Sequence, residues 1–254
     1  TFRGYELCLP QPPSVPRPFT ARIMPMLSSR LIALPLALLS PAAGLHLHSD
    51  LYTGAGPNGC QLVHWVPVIN IGTYINRTWY SQWQMPQWYQ PAENLKCTTA
   101  TYTRTVEQDC TDVWNCLLFR IRDFQGWEID VNNRCKDKKG NWISTSNFLN
   151  AKQKNSGKLG VGPYFLPSGS GGDYWIIDYV EGDSGYAIIA GGQPDMPTSN
   201  GLCLYKNKGN RGLWIFTREQ FPNQTIIDNA KDIITSKGID PSQLLENNHT
   251  GCTP

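Results

Sequence analysis

Seven cysteines follow residue 45: Cys60, Cys97, Cys110, Cys116, Cys135, Cys203 and Cys252. No two form a CxxC pair, and only four His (His46, His48, His64 and His249) accompany them. No zinc-type ligand spacing results, so no metal is expected and disulfides in an oxidising compartment are. The odd number leaves one thiol free or intermolecular. A thiolate nucleophile would need such a free, activated cysteine, for which Cys135 is the candidate. Asp178, on a strand-like stretch, is the candidate for an inward carboxylate with a raised pKa. His64 and His249 are the candidate haem ligands, but both fall outside the strand-like segments. No Ser-His-Asp grouping and no Gly-rich phosphate loop occurs, so no catalytic residue is assigned. Three N-x-S/T acceptors, at Asn76, Asn223 and Asn248, agree with passage through a secretory pathway.

The chain that must position these groups has 254 residues, 40% hydrophobic and 17% charged, enough for one domain with a real core. Nine Trp, 11 Tyr and 8 Phe exclude intrinsic disorder. Gly, Pro and aromatics spread without a sustained heptad exclude collagen-like, coiled-coil and multi-span membrane architectures. The formal net charge is +2, but Arg3, Arg17, Arg22 and Arg30 precede residue 45 with one acid, Glu6. The remainder carries 18 Lys and Arg against 19 Asp and Glu, a near-neutral body without a footprint for nucleic acid. Arg30, the apolar run from Leu31 to Leu39 and the small residues Ala42 and Gly44 read as a signal peptide over about 24–44. The run is too short for a stable membrane span. Residues 1–23 are read as untranslated sequence in frame or part of a longer presequence. The expected organisation is a leader over 1–44, an extension over 45–59 and one domain over 60–254. A secreted or lumenal location follows, with a plastid lumen as the alternative.

Stretches rich in β-branched and aromatic residues predict strands at 78–84, 98–104, 117–121 or 126–132, 141–148, 158–165, 173–179, 185–190 and 212–218. About eight antiparallel strands joined as hairpins suggest an up-and-down barrel, with a two-sheet sandwich as the alternative. Ile226, Ile227, Ala230, Ile233 and Ile234 form one apolar helical stripe. Thr225 and Asp228 resemble its capping box, and Gly238 can close it.

Three blocks in order resemble the lipocalin family, in the branch of apolipoprotein D, insect bilin-binding proteins, crustacyanin and the temperature-induced lipocalins. They are Thr78-Trp-Tyr-Ser-Gln-Trp-Gln-Met-Pro86 with Leu95-Lys-Cys-Thr-Thr-Ala-Thr-Tyr-Thr103; Gly172-Asp-Tyr-Trp-Ile-Ile177 with Asp183-Ser-Gly-Tyr-Ala-Ile-Ile189; and Leu213-Trp-Ile-Phe-Thr-Arg218 before the helix. The likeness runs from about Cys60 to Cys252. It implies an all-β fold, an eight-stranded antiparallel up-and-down barrel with one C-terminal α-helix outside, here with an insertion at about 105–125. It implies disulfides Cys60–Cys203 and Cys97–Cys252; Cys110–Cys116 is the preferred third pair, with Cys116–Cys135 and Cys110–Cys135 as alternatives. Trp79 and Arg218 would seal the barrel base. Arg77 stands where the family has Gly, and Ser184 where it has Tyr.

The function that the resemblance implies is carriage of a small hydrophobic ligand (a lipid, retinoid, carotenoid or tetrapyrrole) with no obligatory cofactor. Expected ligand contacts are Trp83, Trp88, Tyr89, Tyr102, Trp127, Ile129, Tyr174 and Ile176. Alternation along the strand sets Tyr174, Ile176 and Asp178 opposite Trp175, Ile177 and Tyr179. The alternatives are a lipocalin-fold enzyme acting on a carotenoid or lipid, isomerase- or de-epoxidase-like, and a structural subunit of a pigment complex. The latter would be a homo- or hetero-oligomer.

Overall fold

The computed structural model describes residues 56–105, 112–145, 148–206 and 211–253. The leader, the extension up to residue 55 and Cys110 lie outside them. The chain first forms a short helix, α1 (Ile71–Ile75), whose start is capped by Asn70 Oδ1 accepting from Gly72 N and Thr73 N. Then follow β1 (Trp79–Gln84), β2 (Thr99–Arg104), α2 (Val113–Phe124), β3 (Ile129–Lys136), β4 (Trp142–Ser144) and β5 (Leu149–Asn155). Next come β6 (Lys158–Pro163), β7 (Gly172–Val180), β8 (Tyr186–Ala190), β9 (Met196–Pro197) and β10 (Cys203–Leu204). The last elements are β11 (Leu213–Thr217), α3 (Gln224–Ser236) and β12 (Leu245–Glu246).

Eight of these strands pair antiparallel in the order β1-β2-β3-β5-β6-β7-β8-β11, and β11 pairs back to β1. These eight strands thus close into a barrel, to which β4 and β12 add short outer pairings on β3 and β1. This settles the choice between barrel and sandwich. The inward faces pack as one cluster that includes Trp79, Tyr102, Ile129, Leu149, Ile176 and Phe216. A second cluster lies outside, where Ile227, Ala230 and Ile234 of α3 cover Ile188, Leu213 and Ile215. Burying each of those isoleucines stabilises the helix by about 1.5–3 kcal/mol, which an isolated helix of 13 residues needs.

Four expectations are resolved or changed. Of the alternatives 117–121 and 126–132, the first is helix, and the strand β3 falls on the second from Ile129 onward. Asp112 caps α2 by accepting from Asn115 N, and Arg122 bonds Asp130 of β3 at 3.0 Å with its side chain buried. The expected strand over 141–148 shrinks to β4, a flap on β3, and the barrel position is taken by β5 instead. Asn223, not Thr225, is the N-cap of α3, accepting from Thr225 N, and Gly238 follows at φ 73. Cys135 is disulfide-bonded, as is Cys116, so no cysteine among the described residues is free. Cys60–Cys203 and Cys97–Cys252 are both formed.

The base of the barrel is sealed by stacked groups. Trp79 is fully buried and donates its Nε1–H to Tyr74 O at 2.9 Å. Arg218, just past β11, holds its guanidinium carbon 3.5 Å from the Trp79 ring centroid. Its nitrogens donate to the carbonyls of Arg77 (2.7 Å), Thr73 (3.0 Å) and Tyr74 (2.9 Å). Those bonds fasten α1 beneath the barrel. Arg77 needs no positive φ; it pairs with Asp183 and so ties α1 to the β7–β8 turn. The segment before α1 is fixed by Val66, which exchanges backbone bonds with Ile176 and Gly157. Gly157 is a glycine of necessity, since a Cβ would sit 2.9 Å from Val66 O and 3.0 Å from Ile176 O.

Candidate functional site

Above this plug the barrel encloses a cavity of about 90 Å³. Two bulges decide what faces it. In β1 the register shifts between Ser81 and Trp83, so Ser81 and Gln84 point inward and Trp83 turns out against α3, under Lys231. In β7 it shifts between Ile176 and Asp178. Tyr179 therefore joins the inner face of Tyr174 and Ile176, while Asp178 turns away and accepts from Tyr186 Oη at 3.0 Å. The strict alternation expected for that strand fails at the bulge.

One wall of the cavity is a closed ring of neutral hydrogen bonds. Ser81 Oγ donates to Gln84 Oε1 (2.9 Å), and Gln84 Nε2 to Gln90 Oε1 (2.9 Å). Gln90 Nε2 donates to Thr98 Oγ1 (3.0 Å), and Thr98 Oγ1 to Asn247 Oδ1 (2.8 Å). Asn247 Nδ2 returns to Ser81 Oγ (3.1 Å). All five residues are buried. Each group gives and receives within the ring, so the polar wall meets its own needs without a charge or a trapped ion.

The floor is a chain of tyrosine hydroxyls. Tyr174 Oη lies 2.5 Å from Tyr74 Oη and 2.8 Å from Tyr102 Oη. Burial raises the pKa of all three, that of Tyr102 to about 12, so the hydroxyls stay protonated. Tyr89, Trp214, Phe216, Leu149 and Val131 supply apolar surface between floor and wall. Asp173 stands exposed at the rim and accepts from Trp175 Nε1 at 3.1 Å.

Of the eight expected contacts, Tyr89, Tyr102 and Tyr174 line the cavity. Ile129 and Ile176 lie in the packed core and do not line it. Trp127 is buried with its Nε1–H on Leu166 O (2.8 Å), and its ring sits against Gly162 and Gly171. Trp88 is exposed, edge-on to Tyr89. His249 is outside the barrel, its Nε2 on Ser81 O and its ring against Tyr80. Among the described residues, no group of three or more His, Cys, Asp or Glu is placed to hold a metal. The ring of Ser81, Gln84, Gln90, Thr98 and Asn247 was not anticipated. Its one signal in sequence is the pair of polar residues Ser81 and Gln84 inside an aromatic strand.

A closed eight-stranded up-and-down barrel, plugged at the base and carrying one outer C-terminal helix, is the lipocalin fold. No protein-family model and no curated protein matches the chain. Solved structures do. The major allergen Per a 4 from cockroaches is 13% identical, with 77% of this chain and 98% of that one covered at a TM-score of 0.49. Insecticyanin from the tobacco hornworm Manduca sexta is 14% identical (77% and 89% covered, TM-score 0.47). Lobster apocrustacyanin A1 is 10% identical (74% and 91% covered, TM-score 0.44). The assignment of fold rests on the strand order and closure of the barrel itself.

Proposed function

We propose that the protein is an extracytoplasmic carrier that holds one small, mostly apolar molecule non-covalently in the barrel. The observation that carries this reading is the cavity: closed below by Trp79 and Arg218, lined by aromatic and aliphatic groups, and bounded by a polar wall that is already satisfied. The disulfides Cys60–Cys203 and Cys97–Cys252 support an oxidising compartment, secreted or lumenal, for which the leader is the route. No helix of the described residues is long and apolar enough to cross a membrane. Catalysis by a thiolate has lost its candidate, because Cys135 is bonded. The test is native mass spectrometry and an absorption spectrum of the protein purified from its source, followed by organic extraction. A stoichiometric lipid or pigment in the extract is expected. An empty protein that binds nothing from a panel running from small terpenoid alcohols and esters to fatty acids, retinoids and carotenoids overturns the carrier reading.

A further inference from the structure

We infer that the cavity selects uncharged ligands, compact apolar molecules bearing a hydroxyl or carbonyl group, and rejects the carboxylates of fatty acids. The inference rests on the carrier reading and narrows it to a ligand class. Its first support is charge. Among the described residues that line the cavity there is no Lys, Arg or His, and the one acid, Asp173, stands in solvent at the rim. Arg218 lies against the plug residue Trp79, where its guanidinium donates to the backbone carbonyls of Arg77, Thr73 and Tyr74. An ionised carboxylate brought inside would lose its hydration without gaining a counter-charge, and an ammonium group would fare no better.

The second support is proton counting. Three tyrosine hydroxyls carry three protons, and the two bonds among them use two. One donor remains, and the chain can reverse direction so that Tyr102 or Tyr174 offers either a proton or a lone pair. A hydroxyl or a ketone is therefore matched equally well. The amide ring needs nothing from a ligand, so it adds polar surface without demanding an ion. Size is the third support. A cavity of about 90 Å³ has room for roughly six to nine waters, the bulk of a ligand of about ten to fourteen non-hydrogen atoms.

The discriminating probes share one skeleton: geraniol, methyl geranate, geranic acid and geranylamine, titrated at pH 7.5 into delipidated full-length protein with its disulfides intact. Quenching of tryptophan fluorescence reports occupancy, since Trp214 lines the cavity. Geraniol and the ester are expected to bind, with the ionised acid and the amine at least tenfold weaker. Asn133→Lys, which sets a cation on the cavity wall, is expected to bring geranic acid to within threefold of geraniol. Tyr102→Phe is expected to weaken geraniol about tenfold while leaving the hydrocarbon myrcene unchanged; it keeps the test available if the lysine variant fails to fold. Geranic acid binding as tightly as geraniol to the unaltered protein overturns the inference and leaves the carrier reading intact. If none of the four binds but retinol does, compactness is refuted. If no probe binds at all, the carrier reading falls with it.

Discussion

Replacing Trp79 by Ala removes the floor on which the whole cavity stands. The ring is fully buried, and a tryptophan-to-alanine change at such a site costs about 3–5 kcal/mol in lost transfer energy and residual cavity. The Arg218 guanidinium, half-buried and 3.5 Å from the ring centroid, loses a cation–π partner worth about 1–2 kcal/mol. The indole N–H bond to Tyr74 O adds little, because Arg218 still donates to that carbonyl. The sum is about 4–7 kcal/mol, equivalent to a fall in Tm of roughly 8–28 °C for a domain of this size. Urea unfolding followed by far-UV circular dichroism, with the disulfides intact, measures it. Trp79→Phe, which keeps a ring under Arg218, should cost less than half as much. A Trp79→Ala protein destabilised by under about 1 kcal/mol would refute the sealed-base argument altogether.

Three further outcomes follow from the geometry. Exchanging Cys97 and Cys252 for Ala opens a crosslink spanning 155 residues and is expected to cost about 5 kcal/mol on the chain-entropy account, read from denaturant midpoints. Gly157→Ala forces a Cβ into the carbonyls of Val66 and Ile176 and should destabilise by about 1–3 kcal/mol, with amide exchange faster first at Val66 and Ile176. Burial holds the His249 imidazole below its ordinary value of 6.5, and its Nδ1 has no hydrogen-bond partner among the described residues. The folded protein then binds fewer protons than the unfolded chain just below pH 6.5. The contribution of this group is complete above pH 6.5 and is lost as pH falls through the folded value. His249→Gln should flatten the stability profile in that window, as measured by urea midpoints from pH 7.5 to 5.

The barrel was legible because its strands announce themselves locally. Trp79-Tyr80, Trp175 to Ile177 and Leu213 to Phe216 are aromatic and β-branched runs between turns, and the stripe of α3 has only one apolar face to show. The insertion is ambiguous for the same reason. Leu117 to Ile121 looks like a strand when taken alone, whereas Val113, Trp114, Leu117, Leu118 and Ile121 together, after Asp112, have the helical period and a cap. β5, Leu149-Asn-Ala-Lys-Gln-Lys-Asn155, holds no β-branched residue. It is a strand because β3 and β6 pair with it, which no local propensity reports. The site was less legible than the fold. Bulges in β1 and β7 turned Trp83 outward and Tyr179 inward, and a single-residue slip is invisible to alternation. The amide ring closes only through Asn247, 166 residues from Ser81.

The disulfides Cys60–Cys203 and Cys97–Cys252 are interlaced along the chain, since Cys97 lies between Cys60 and Cys203 and Cys203 lies between Cys97 and Cys252. Every peptide bond from Cys60 to Cys252 is therefore bridged by at least one of them. A protease that cuts a single exposed loop anywhere in that span releases no fragment: both pieces stay covalently attached around the same barrel. The barrel can survive a nick that would dismantle an uncrosslinked protein.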